Sequence, residues 1–259
     1  MDDEPLRPAA TILLLRDAAA LEVLMIARAD YVGFAGGALV FPGGKVEASD
    51  ADEAWRPHAR GLSQDPFIAA GQIAAIREAF EESGLLLAYG ADGAVVSDDV
   101  AAALGAARAE IENDDRKFRG LIVSEGLTLA TDLLQLFAHW TPPLRVHKRY
   151  DTLFFIARAP LNQAVREDGY EATEAFWTTA DAALEARASG ARKVMFPTAA
   201  NLALLGLAAN VDDAFRQTRA RPVRRVTPEL QSENGDAFLV IPEDLGYPVT
   251  RESARLSSF

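Results

Sequence analysis

"REAFEESGLLL", residues 77–87, sets Glu78, Glu81 and Glu82 within five positions of a segment that otherwise reads as a buried helix. Immediately upstream, "PFIAAGQIAAI" places Ile73 and Ile76 on one helical face, and Phe80 continues it. Pro66 stands where a helix start tolerates proline, and Gly84 is a natural stop. At about 100° per residue the three glutamates fall within an arc of roughly 100° opposite the apolar face. Like charges at this spacing repel. One explanation is a solvated acidic stripe; the other is a face that binds a cation. No basic residue stands four positions beyond any of these glutamates, and a glycine-rich turn, "GFAGGALVFPGG" (33–44), is near enough to meet them. Both features favour the cation.

Clustered carboxylates suit a hard divalent ion that retains several waters, such as Mg²⁺. An ion held this way reaches phosphate oxygens and lowers the pKa of a bound water, positioning it for in-line attack. One carboxylate is then available as base.

The rest of the chain fits an ordinary globular protein. Of its 259 residues, 49% are hydrophobic and 25% charged. The net charge of −12 argues against nucleic-acid binding, which draws on Lys and Arg, but leaves room for a small phosphorylated substrate. No apolar run reaches the roughly 18–20 residues of a membrane span, and the acidic start "MDDEPLRPAA" is unlike a signal peptide. The absence of cysteine excludes disulfides and thiolate chemistry and fits a reducing, cytoplasmic setting.

"ATILLLRD" and "LEVLMIARA" predict a β-hairpin, and "RYDTLFFIARAP" a strand. Residues 48–65 form a polar inserted loop. One amphipathic helix is expected over 97–118, capped by Ser97 or Asp98, and a helix or helical turn in "GLTLATDLLQLF". Further helices are expected in "TTADAALEARASG", "FPTAANLALLGLAANV" and "VDDAFRQTRA", with Thr178 or Thr179 and Thr198 as caps. The tail, "FLVIPEDLGYPV", offers a last strand or a surface segment. Strands before, between and after helices imply an α/β layered domain.

With these residues in place, a resemblance emerges. "FPGG" followed by "REAFEESGL" is similar to the Nudix box, Gly-x5-Glu-x7-Arg-Glu-U-x-Glu-Glu-x-Gly-U, with U a bulky apolar residue. Arg77, Glu78, Glu81, Glu82, Gly84 and Leu85 fill its second half; Ala79 is small for its position. The first half departs from the pattern. Asp50 stands where the box has glutamate, and residues 51–76, 26 in number, separate it from Arg77 where the box has seven. The extra 19 coincide with the polar insert. Together with "KRYDTLFFIARAP", "EAFWTTADAAL" and "FPTAANLALL", the insert resembles the Nudix branch that includes the mammalian peroxisomal coenzyme A diphosphatases.

The resemblance implies a fold of class α/β (α+β), a Nudix-type α/β/α sandwich with a mixed central sheet and extra helices. It implies one domain over 1–259, with its core at about 10–230, the insert at 48–65 and a C-terminal extension at 231–259. It also implies Mg²⁺- or Mn²⁺-dependent hydrolysis of a diphosphate, with coenzyme A or acyl-coenzyme A as leading substrate. ADP-ribose, nucleotide sugars and dinucleotide polyphosphates stay open, as does a non-catalytic nucleotide-metabolite sensor. Glu78, Glu81 and Glu82 would be metal ligands, Glu78 also a base, Arg77 their orienting group and the Gly43 carbonyl a further ligand. Glu174 or Glu171 would add an acidic ligand or base. Arg28, Arg145, Lys148 and Arg149 are candidate phosphate contacts, each weighed against a solvated surface charge. His58, His139 and His147 show no metal-ligand spacing, and Trp140 and Phe41 read as core residues with scope to stack on a base. "RLSSF" is not a Ser-Lys-Leu peroxisomal address. Pairing into homodimers is common among Nudix proteins.

Overall fold

The fold was described from a computed structural model. Residues 6–28, 37–143, 149–167 and 172–254 are described. Arg145, His147, Lys148 and Glu171 lie outside them.

The elements in chain order begin with β1 (Arg7–Asp17), β2 (Leu21–Arg28), β3 (Leu39–Val40), β4 (Gly43–Lys45), α1 (Pro66–Ser83) and β5 (Ala88–Tyr89). There follow α2 (Asp98–Leu104), α3 (Arg108–Asn113), α4 (Arg116–Ser124), β6 (Thr128–Leu129), β7 (Gln135–Trp140), β8 (Tyr150–Arg158) and β9 (Ala172–Thr178). The chain continues through α5 (Ala180–Ala188), α6 (Phe196–Leu205), α7 (Val211–Ala220), β10 (Arg225–Val226), β11 (Glu229–Glu233), β12 (Asp236–Val240) and β13 (Arg251–Ser253).

Among the described residues, eight strands form a mixed sheet ordered β10-β7-β8-β1-β2-β3, with β4 also paired to β1 and β9 to β2. β1 and β2 form the expected antiparallel hairpin, whereas β1 and β8 run parallel. Strand alternation divides the core. Ile12, Leu14, Leu153 and Phe155 point to α1, where Ile73, Ile76 and Phe80 meet them, all nearly or fully buried. Leu13, Leu15, Phe154 and Ile156 point to the other layer, against Phe196 and Leu202 of α6 and Val211 of α7. The result is the α/β/α sandwich.

α1 begins and ends as the sequence predicts. The Asp65 side chain accepts from the N–H groups of Phe67 and Ile68, and Gly84 closes the helix at φ +73° with its N–H on the Phe80 carbonyl. Thr179 caps α5, accepting from the Ala182 N–H.

Several expectations are corrected. The helix over 97–118 is broken into α2, a short 3₁₀ turn and α3, and α4 begins two residues before its end. "GLTLATDLLQLF" holds a 3₁₀ turn, Thr131–Leu133, but chiefly supplies strands β6 and β7; pairing with β8 outweighs the helical look of its leucines. The N-terminal cap of α6 is Met195, not Thr198, which lies inside the helix. The tail does supply a strand, β12, one of the two readings offered, in a separate antiparallel sheet β11-β12-β13; its Leu239, Ile241, Leu245 and Tyr247 join the second core. Among the described residues no helix is long and apolar enough to cross a membrane.

The insert is the largest correction. It is no bare loop: Glu53–His58 forms a 3₁₀ turn that drives Trp55 into the core, where it is 1% exposed. The Trp55 ring lies 5.7 Å from that of Phe118, and its indole N–H donates to the Ser49 carbonyl at 2.9 Å. Asp52 pairs with Arg119 of α4, and Arg60 lies 3.1 Å from Asp132. Trp55→Ala should therefore cost about 3–5 kcal/mol, as for a core aromatic, read from urea unfolding. A change within about 0.5 kcal/mol, typical of a surface site, would show that Trp55 is not a core anchor.

Candidate active site

Position 44 decides whether the acidic helix can approach the glycine turn. A Cβ on Gly44 would stand 2.5 Å from Glu78 Oε1, so only glycine leaves that space to the carboxylate. One residue earlier, the Gly43 N–H donates to Glu82 Oε2 at 2.9 Å. β4 thus holds the turn against α1, and the two halves of the motif meet.

The acidic face is largely buried, and it has a base that a search four positions downstream misses. Glu81 is 8% and Glu82 4% exposed. Arg77 supplies the cation from four positions upstream: its Nη1 donates at 2.9 Å to both Glu78 Oε1 and Glu81 Oε1. Its Nε and Nη2 donate to Asp50 Oδ1 and Oδ2 at 3.0 and 2.9 Å, a bidentate pair, and Nη2 also reaches the Lys45 carbonyl at 2.9 Å. Asp50 therefore lies within the same cluster despite the insert. Arg28 of β2 places Nη1 3.5 Å from Glu82 Oε1.

These contacts shift the titrations. Burial opposes the charge on Arg77, but Glu78, Asp50 and Glu81 outweigh it and hold the guanidinium well above its ordinary range. Burial, reinforced by the charge of Glu78, raises Glu81 from 4.5 to about 7 against the pull of Arg77.

The acidic cluster opens on a cleft of about 690 Å³. Its floor follows from strand register: Gly43, Thr11 and Phe154 form one cross-strand row, and Lys45, Ala9, Thr152 and Trp140 the next. Ala9, Thr11 and Thr152 are small where larger residues would fill the space. Phe196, Pro197 and Thr198 of α6, Pro142 and Pro143 complete an apolar side, and Glu112 and Asp115 add acidic groups that the sequence did not single out. Trp140 and Phe41 are core residues, as expected, and both also line the cleft.

The other candidate residues divide. Arg28 lines the cleft. Arg149 is buried, its carbonyl accepting the Arg7 N–H at 2.8 Å, and it is not among the described lining residues. Glu174 lies on β9, is not among the described lining residues, and pairs with Arg192 at 2.6 Å. His139 pairs with Asp151, away from the acidic cluster.

In donor chemistry the cluster fits a hard cation: it offers carboxylate oxygens, without sulfur or imidazole. The side chains are not assembled around one; among the described residues no three acidic, histidine or cysteine side chains form a group that could hold a metal ion.

A mixed sheet between helical layers, with Arg-Glu-x-x-Glu-Glu on a helix facing a Gly-Gly strand, defines a Nudix protein. The family model of the NUDT19 Nudix domain matches residues 58–202, and the chain belongs to that family. It is 27% identical over 205 residues to the acyl-coenzyme A diphosphatase NUDT19 of Xenopus laevis, covering 63% of this chain and 54% of that protein. The Gallus gallus acyl-coenzyme A diphosphatase NUDT19 is 29% identical over 212 residues, with coverage of 63% and 55%. The chain thus spans about half the length of these curated relatives. A solved structure, a NUDIX hydrolase from Alicyclobacillus acidocaldarius, superposes with a TM-score of 0.70 at 27% identity, covering 82% of this chain and 96% of that one. These matches agree with the Nudix resemblance and with its coenzyme A diphosphatase branch.

The raised pKa of Glu81 has a signed consequence in metal-free buffer. The folded chain binds this proton more tightly than the unfolded one, whose ordinary value is 4.5. Its contribution to stability is therefore fully present below pH 4.5 and is lost as pH rises to about 7. Glu81→Gln should flatten that slope in urea midpoints measured across pH; an identical slope in the variant would exclude Glu81 as its origin.

Proposed function

We propose that this chain is a divalent-metal-dependent hydrolase that cleaves the diphosphate of coenzyme A or an acyl-coenzyme A. The observation that carries this is the meeting of Arg77, Glu78, Glu81 and Glu82 with the Gly43–Gly44 strand at a cleft much larger than a diphosphate. The coenzyme A moiety rests on the names of the relatives.

Glu78, Glu81 and Glu82, with the Gly43 carbonyl, would hold Mg²⁺ or Mn²⁺. When bound, that ion would supply charge neutralisation at the diphosphate and acidify a water. The chain's own residues do the rest. Glu78, in the space left by Gly44, takes a proton from the attacking water. Arg77, fixed by Asp50, keeps Glu78 and Glu81 in one orientation. Arg28, at the edge of the carboxylate cluster, is positioned to meet a phosphate oxygen. Water is the nucleophile, and no side chain becomes covalently attached. The proposal takes the whole chain, 1–259, as one Nudix domain. It includes a cytoplasmic setting, supported by the lack of cysteine, and a homodimer, supported by the family resemblance alone.

With Mg²⁺ and a panel of coenzyme A, acyl-coenzyme A, ADP-ribose, NADH, nucleotide sugars and dinucleotide polyphosphates, mass analysis should show phosphopantetheine, free or acylated, and an adenosine bisphosphate. Turnover of ADP-ribose alone would overturn the substrate assignment. No turnover, with metabolite binding retained, would favour a sensor. Glu78→Gln and Glu82→Gln should each lower kcat by about 10²-fold or more, with the thermal midpoint maintained; wild-type turnover in either refutes the mechanism. Gly44→Ala should fold yet lose most activity, because the added methyl displaces the mobile end of Glu78 rather than backbone. Full activity in this variant would show that the close approach is dispensable.

A further inference from the structure

The apolar part of the cleft is braced from a segment that lies beyond the matched domain. Trp140 ends β7, three strands from Lys45 in the row Trp140–Thr152–Ala9–Lys45. At about 4.8 Å per strand this is roughly 14 Å, too far for a diphosphate held at the acidic cluster to reach. Trp140 can meet only what the diphosphate carries. Its indole is pinned. The indole N–H donates to the Tyr247 hydroxyl at 3.0 Å, and that hydroxyl donates to Asn201 Oδ1 of α6 at 3.2 Å. Tyr247 and Phe196 both stand nearly perpendicular to the indole, at 81° and 83°, with centroids 5.4 and 5.9 Å away. Phe196 itself lines the cleft. Tyr247 is held in turn: it is 5% exposed, and the Arg221 guanidinium lies 5.7 Å from its ring while donating to the Phe137 carbonyl at 2.7 Å.

We propose that Tyr247 is a positioning residue for the substrate, acting through Trp140 to set the part of the cleft that receives the apolar or aromatic group borne by the diphosphate. The C-terminal segment is then part of the specificity apparatus of this enzyme, although the matched domain ends at residue 202. The hydroxyl is the working element, because it alone accepts the indole proton and passes the constraint to α6. Without it a buried donor loses its acceptor, and the indole is free to turn. The inference rests on the proposed hydrolase activity for its kinetic readout, but its binding readout does not require turnover.

Tyr247→Phe, Trp140→Phe and the double variant would be compared with wild type on the panel substrate that is turned over. Tyr247→Phe should raise KM three- to tenfold with kcat within twofold, while inhibition by inorganic pyrophosphate stays at its wild-type value. In the Trp140→Phe background the same change should add nothing to KM, since no indole N–H remains to be held. The double variant, lacking both donor and acceptor, also serves if Tyr247→Phe folds poorly. Additive KM effects, a change confined to kcat, or an equal weakening of pyrophosphate would each overturn the proposal. If wild type hydrolyses nothing, the proposed function fails. Equilibrium binding of coenzyme A in EDTA then carries the same comparison, and equal affinity in wild type and Tyr247→Phe refutes the role of Tyr247.

Discussion

One buried guanidinium holds the site together. Arg77, 3% exposed, gathers the Lys45 carbonyl of β4, Asp50 at the entry of the insert, and Glu78 and Glu81 of its own helix. The acceptors come from three pieces of chain, β4, the insert and α1 itself, and one planar cation fixes them in a single geometry. Removing one partner of a buried pair typically costs about 3–5 kcal/mol because the survivor remains desolvated. The carboxylates could not share one helical face next to a strand without it. Burial, and after it repulsion from Glu78, still registers in the elevated titration of Glu81.

The surrounding fold serves that arrangement. Pro66, the Asp65 cap and Gly84 give α1 defined ends, and Ile73, Ile76 and Phe80 clamp it to the sheet. Small side chains at Ala9, Thr11 and Thr152 then leave a trough on the opposite face, which α6 closes with Phe196. The acidic residues of α1 meet the sheet at β4, whereas Trp140 stands on β7. On the proposed assignment, a change in the carried group falls near Trp140 and leaves Glu78 undisturbed.

Much of this could be read from the residues alone. The helix with its Pro66 start and Gly84 stop, the β1–β2 hairpin, β8 and the glutamate trio are local in character: periodicity and turn chemistry specify them. What was lost depends on distant partners. The stretch 126–137 has the leucines of a helix, yet its end becomes strand β7 beside β8. Trp55 sits in a polar stretch, and nothing nearby reveals that Phe118 awaits it. The role of Asp50 is concealed by 26 intervening residues, and that of Tyr247 by its separation of 107 positions from Trp140. The charge balance was misjudged for a simpler reason. The compensating base lies four positions before Glu81, rather than after it.

The parallel ladder from Arg7↔Tyr150 to Leu15↔Arg158 has a kinetic meaning as well. It joins strands separated by more than half the chain, so closing it carries a large loop entropy before any hydrogen bond is gained. During synthesis α1 and the hairpin emerge long before β8, and Thr11 must wait for Phe154 before the trough has a floor. The acidic helix therefore exists as a charged, half-supported element for much of the chain's birth. The floor of the trough is laid only after the acidic helix that borders it has been made.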